Sequence, residues 1–428
     1  MKNIVTLPKM YVFSVLFILW GSSSFSQSVK ASSFGFDPLD ATRALVSAMN
    51  SPYDSIIIDV QKSDWIIQPV TFRKLHDKVI IFEKDVVLRA KKGAFSRRTA
   101  VLLGFSECQN IKIIGNDAIL QMNKAEYLDG EWRHGISLRG CENISIDCLT
   151  IKDSGGDGIY IAGTKEKNYS KDIHISNISS MNNKRQGMSI ISAVNVQVRT
   201  STFSDTKGTL PGAGLDIEPN SKEDRIQNIQ FIDCIFNNND HAGILVSLRK
   251  LEKESAPISI GFKNCVLQNN HSKTNKYVAA EIVFGANRSS PVKGSLVFEN
   301  CIIENSKWGL FHSRKTNDAF TVTFKNCIAR NICTEKISAV ISLEVPNYKV
   351  DKGALGGYIF DNLVLEYEAE VPFFQVRGSS LGTLSQVADI EGDITIVSSQ
   401  EKKANYIKYN PTSNKNVNLK LTQKKPKN

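Results

Sequence analysis

The sequence predicts an all-β solenoid, a parallel β-helix, because two short segments recur along it. The first is a glycine followed by alternating apolar residues: Gly135-Ile136-Ser137-Leu138, Gly158-Ile159-Tyr160-Ile161, Gly187-Met188-Ser189-Ile190, Gly214-Leu215-Asp216-Ile217, Gly243-Ile244-Leu245-Val246 and Gly309-Leu310-Phe311-His312. Ala279-Ala280-Glu281-Ile282 fits between the last two, with Ala279 in the glycine place. A fixed motif returning every few dozen residues marks a solenoid. The second segment lies between these: Phe231-Ile232-Asp233-Cys234, Phe262-Lys263-Asn264-Cys265, Phe298-Glu299-Asn300-Cys301 and Phe324-Lys325-Asn326-Cys327, closed by Phe360-Asp361-Asn362-Leu363. An apolar period of 2 rather than 3.6 makes both segments strands. Two strands per coil, stacked in parallel, bury one face of each.

The Asn and Asp residues at 177, 233, 264, 300, 326 and 362 are expected to stack as a ladder at one bend. Cys234, Cys265, Cys301 and Cys327 follow four of them at a fixed place in the coil, and no Cys-x-x-Cys pair occurs among the eight cysteines, so packing rather than disulfide or metal chemistry is expected.

With 428 residues, 41% hydrophobic and 22% charged, the chain has material for a large core, and disorder is not expected. Residues 1–26 read as a signal peptide: Lys2 and Lys9, an apolar run from Met10 to Trp20, then Ser24-Phe25-Ser26. An exported location, periplasmic or extracellular, follows, without a membrane span. Residues 27–100 read as a cap and first coils, 101–400 as the β-helix, and 401–428 as a basic, disordered tail. The net charge of +10 suits an anionic partner such as a uronate or sulfated polysaccharide. Nucleic acid is not expected, because the cations share columns with carboxylates, and the chain is expected to act as a monomer.

These repeats resemble the pectin-lyase-like superfamily of right-handed β-helix proteins over residues 35–400. The run Gly35-Phe36-Asp37-Pro38-Leu39-Asp40-Ala41-Thr42-Arg43-Ala44-Leu45 is similar to the amphipathic helix that caps such solenoids, with a first strand at Ser55 to Val60. The resemblance implies a right-handed coil and a glycan-active protein, but the superfamily holds hydrolases, lyases, epimerases and tailspikes. The paired Asp-Asp, Gly-His-Gly and Arg-Ile-Lys elements of polygalacturonases are absent, which argues against a plain pectin hydrolase.

Strand parity sorts the glycine segments into columns. Two residues past glycine the outward column reads Ser137, Tyr160, Ser189, Asp216, Leu245, Glu281, Phe311; four past, it reads Arg139, Ala162, Ile191, Glu218, Ser247. Two before glycine lie Arg133, Gly156, Arg185, Gly212, His241 and Lys307, with Arg98 in an earlier coil. Asp216 and Glu218, side by side on one strand at roughly 6–7 Å, approach the roughly 6.5–9.5 Å carboxyl separation of inverting glycosidases. They are the expected acid and base, and Asp157 is a third carboxylate.

Arg133, Arg98, Lys307 and Tyr160 are the expected substrate contacts, with Phe311 as a second sugar platform. Glycines 156 and 212 are read as gaps through which a sugar ring approaches. In the competing lyase reading, Asp216, Glu218 and Asp157 hold Ca²⁺ while Arg185 or His241 serves as base and Tyr160 as acid. A non-catalytic carbohydrate-binding solenoid is the third reading. Parity points Trp132, Trp308 and His134 inward, and the loops Thr164 to Tyr169, Thr206 to Gly212 and His271 to Tyr277 are expected to shape a groove.

Overall fold

The computed structural model describes residues 27–271, 280–335, 339–345, 353–378 and 386–426. The signal-peptide reading of residues 1–26, and all of the loop His271 to Tyr277 except His271, lie outside these ranges. Nearly every regular element is a parallel strand, and each strand pairs with its equivalent in the next coil, as a right-handed β-helix requires. One sheet of 12 strands takes a single strand from every coil, from Val70–Arg73 to Ala404–Ile407. The other, of 22 strands, receives most coils twice.

A coil therefore carries three strands where the sequence pattern implied two. The ladder residues cause the extra break. Asn177, Asp233, Asn264, Asn300, Asn326 and Asn362 all have positive φ, a region Asn and Asp tolerate better than other residues with a side chain. They bend the run into two strands, such as Ile226–Ile232 and Ile235–Asn237. The ladder itself forms: Asn264 Nδ2 donates to Asp233 Oδ1 at 3.0 Å, and Asn362 Nδ2 to Asn326 Oδ1 at 3.0 Å.

Just past the bend each cysteine turns inward, and its thiol donates to a carbonyl of the previous coil. Cys265 reaches Phe231 O at 3.5 Å and Cys301 reaches Phe262 O at 3.4 Å. All eight cysteines are free thiols. Beside them Phe231, Phe262, Phe298 and Phe324 stack ring on ring at 5.2, 4.8 and 4.9 Å, filling the core with one repeated shape.

A second ladder, of the buried Asn183, Asn239 and Asn270, marks the corner between the two sheets in three coils. Asn239 Oδ1 accepts from Thr206 N at 3.1 Å, and its Nδ2 donates to Phe203 O at 3.2 Å and Asn270 Oδ1 at 2.8 Å. This ladder crowds three of the glycines: a Cβ on Gly158, Gly214 or Gly243 would lie 2.6, 2.9 or 2.8 Å from the Nδ2 of Asn183, Asn239 or Asn270. Orphaning a buried backbone group costs ~1–3 kcal/mol, so Asn239→Leu, which orphans the Thr206 N–H, is expected to lose at least ~1 kcal/mol. Urea unfolding measures this, and an unchanged midpoint would show that the ladder is not stabilising.

The N-terminal cap is the helix Thr42–Met49, which buries Ala44, Leu45, Ala48 and Met49 against the first coil. At the other end, the residues read from the sequence as a disordered tail form strands. Lys415–Lys424 pairs with Val387–Val397, setting Val417 on Ile390 and Leu421 on Ile394. The alternation of Val417, Leu419 and Leu421 carries this strand, and the lysines that suggested disorder stand on its solvent face.

Candidate active site

The register aligns the outward column Thr71, Gly104, Ser137, Tyr160, Ser189, Asp216 and Leu245, one residue per coil. Beyond Leu245 the expected column is wrong by one residue. It continues with Val283 and His312, not Glu281 and Phe311. Ile282 pairs with Ile244, which puts Glu281 in the glycine place, where it accepts from Asn270 Nδ2 at 2.7 Å. A one-residue slip exchanges faces. Phe311 is therefore 0% exposed and stacks on Tyr358 in the core rather than offering a platform.

Along the N-terminal half of this face runs a groove of about 760 Å³. Arg73, Arg139, Glu131, Trp132, His134, Ser137, Tyr160, Arg185 and Glu218 are among the residues lining it. Arg185 is its electrostatic centre. Its Nη1 lies 3.5 Å from Asp157 Oδ1, and its Nη2 lies 3.9 Å from both Asp216 Oδ2 and Glu218 Oε2. Arg185 thus neutralises Asp216 across coils while also lining the groove.

The three carboxylates are not equivalent. Glu218 opens to the groove with 41% of its side chain exposed, whereas Asp157 and Asp216 are buried at 0% and 1%. Burial pushes Asp157 from the ordinary 3.8 up to about 6, against the pull of the Arg185 charge. Burial raises Asp216 well above the usual range, and the neighbouring Glu218 charge adds to the effect. Asp216 is oriented by Gln186, whose Nε2 donates to Oδ2 at 2.9 Å. Of the two carboxylates expected as acid and base, Glu218 lines the groove and Asp216 is buried outside its lining.

His134, expected in the core, is buried but forms the groove floor, stacked on Tyr160 with centroids 4.4 Å apart. Its Nδ1 accepts from Asp157 N at 3.2 Å, which leaves the proton on Nε2. Burial and the charges of Arg139 and Arg185 hold the ring well below its ordinary pKa, so it is a neutral donor. Its Nε2, both Asp157 carboxylate oxygens, Asp216 Oδ1 and Ser189 Oγ are buried without hydrogen-bond partners. These unsatisfied polar atoms lie together at the Arg185 end of the open groove.

Other expected contacts fall elsewhere. Arg133 is 5% exposed and bonds to Phe95 O, Ser96 O and Asp129. Arg98 pairs with Asp129 and Glu131, and Lys307 with Glu335. His241 packs against Gly212 and His271, away from the groove lining. Trp132, expected inward, is 45% exposed and lines the groove, whereas Trp308 packs inside as expected. Parity fails at residues before glycine because the chain turns a corner there.

Sequence reasoning passed over Arg73 and Glu131, and gave Arg139 a column but no role. The register puts Arg73, Ser106 and Arg139 in one column, so the two arginines stand about 10 Å apart, two coil spacings. Arg139 lies 4.7 Å over the Tyr160 ring. Neither arginine has a carboxylate partner among the described residues. The signal for Arg73 was faint, since its coil lacks the glycine motif.

Calcium does not fit here. Asp157, Asp216 and Glu218 converge on the Arg185 guanidinium, which takes the position a cation would need. Among the described residues no group of three or more His, Cys, Asp or Glu is placed to hold a metal ion.

A family model described as the right handed beta helix region matches residues 107–290. Over 232 residues the chain is 26% identical to the uncharacterized protein YclG of Bacillus subtilis (strain 168). That match covers 51% of this chain and 37% of YclG, so the chain spans well under half of that relative. Among solved structures, the catalytic unit of a GH87 α-1,3-glucanase from Streptomyces thermodiastaticus strain HF3-3 superposes with a TM-score of 0.60 at 12% identity, covering 94% of this chain and 69% of its own. The Streptococcus pneumoniae surface protein and adhesin PfbA gives 0.56 at 12% identity, covering 92% and 100%. At these identities the likeness is one of fold.

Proposed function

From the premise that this chain is a pectin-lyase-like right-handed β-helix protein, we propose that it is an exported enzyme that hydrolyses an acidic polysaccharide lying in the Arg185 groove. The observation that carries this is the arrangement at Arg185: one open carboxylate, Glu218, backed by a proton-holding one, Asp216. A glycosidase needs an acid that keeps its proton near neutral pH to give to the departing oxygen. Glu218 delivers that proton at the groove surface, and Asp216 replenishes it from behind. Arg185 holds both in place, and the His134 Nε2–H donates to a sugar hydroxyl over the floor.

Acidity of the substrate is read from Arg73 and Arg139. Two unpaired guanidiniums about 10 Å apart suit carboxylate or sulfate groups on sugars spaced along one chain. The fold serves both a glucanase catalytic unit and a surface adhesin, so fold alone does not choose between cleaving and binding. The orphaned polar atoms and the raised carboxyls favour cleavage. Among the described residues no helix is long and apolar enough to cross a membrane.

The test is digestion of a panel of uronate and sulfated glycans, following new reducing ends and the ultraviolet absorbance of unsaturated uronates. Reducing ends without unsaturation are expected. Losing one charge-assisted contact costs ~1.5–3 kcal/mol, so Arg73→Gln and Arg139→Gln should each raise KM roughly tenfold or more. Unsaturated product would replace this reading with elimination, and retention of a glycan without new ends would reduce it to binding.

A further inference from the structure

Among the described residues the groove is lined by two carboxylates, Glu218 and Glu131. Glu131 belongs to a segment, Tyr127–His134, that is fastened at many points. Arg133 fixes it from below: Nε donates to Phe95 O at 2.8 Å, Nη2 to Ser96 O at 2.9 Å, and Nη1 to Asp129 O at 2.9 Å and Oδ1 at 2.7 Å. The guanidinium also lies 5.2 Å over the Tyr127 ring.

From the side, the segment rests on Gly155 and Gly156. A Cβ on the first would meet the Tyr127 ring at 2.3 Å, and one on the second would meet Glu131 O at 2.9 Å. Gly156 is thus a seat for the loop, not the gap for sugar that the sequence suggested. Above, Arg98 bonds Glu131 Oε2 at 3.0 Å and lies 5.5 Å over Trp132. A side chain held this way is preorganised, as catalytic groups must be.

Glu131 lines the same groove as Arg185 and Glu218. Unlike Asp216, it is open to the groove, with 43% of its side chain exposed. We propose that Glu131 is the catalytic base of the hydrolysis, an assignment that rests on the reading above. Water gives its proton to Glu131 as its oxygen bonds to the anomeric carbon. The glycosidic carbon–oxygen bond breaks, and the departing oxygen takes the proton from Glu218. Attack from the face opposite the leaving group inverts the anomeric configuration.

The experiment compares wild type and Glu131→Gln on whichever glycan of the panel is cleaved. The variant should lose ~100-fold or more in kcat with KM little changed and thermal unfolding unaltered. Azide, which needs no base, should restore turnover and give a glycosyl azide. Arg98→Gln, which leaves the carboxylate in place, should be milder, and the wild-type product seen by NMR should be inverted. Undiminished kcat in Glu131→Gln, absence of azide rescue, or a retained anomer would each overturn the assignment while leaving hydrolysis standing. A wild type that cleaves no glycan would remove both.

Discussion

Replacing Arg185 with methionine is expected to abolish glycan cleavage and to weaken the fold in a pH-dependent way. Among the described residues the guanidinium is the one cation facing Asp157, Asp216 and Glu218 at ion-pair distance, and it is itself largely buried. Removing one member of a buried pair typically costs ~3–5 kcal/mol, because the partner charge stays behind. Here the carboxyls can escape part of that cost by taking up protons. Asp157 already sits at about 6 instead of 3.8, so wild-type stability falls as pH rises from about 4 to about 6 and this contribution is flat above. Without Arg185 the folded value moves higher still, and the fall continues into the alkaline range. The gap between wild type and Arg185→Met should therefore be small at pH 5 and widest above pH 7. Urea melts across that range measure it; a gap that is constant with pH would mean that Arg185 acts by packing alone.

The second large effect is expected from Glu218→Gln. The amide keeps the size of the side chain and can still bond to Asp216, but it cannot pass a proton to a leaving oxygen. General-acid contributions run to roughly 100- to 10,000-fold, and the loss should fall on kcat, with KM within a few-fold. Substrates whose leaving group departs without protonation should be spared. An aryl glycoside with an acidic phenol, compared with the natural glycan, makes the distinction, and equal losses on both would remove Glu218 from the acid role. Asp216→Asn should give a milder loss, because Glu218 would remain but lose its proton reserve.

Much of this molecule is legible in a single sequence. Gly135, Gly158, Gly187, Gly214 and Gly243 announce the coil period, and the Asn and Asp residues before the cysteines announce the bends. Within one strand the face of each residue follows from parity, which is how Tyr160, Asp216 and Glu218 come together on paper as they do in space. Parity stops at corners. Arg133 and Arg185 hold equivalent places before their glycines, yet one fastens a loop and the other centres the groove. The slip at Glu281 has the same origin, since nothing local distinguishes Ala279 or Glu281 as the glycine equivalent.

By itself, then, the sequence determined the repeat, the faces within each strand and the charged residues that share them, because these depend on spacing and side-chain alternation. The tertiary structure decided which of those residues meet the solvent. Glu218 is open and Asp216 closed because of what stacks in the adjacent coils. Trp132 and Glu131 reach the groove because Arg133 bonds to carbonyls 37 and 38 residues away. Burial and long-range fastening are sums over distant parts of the chain, and no local pattern encodes them.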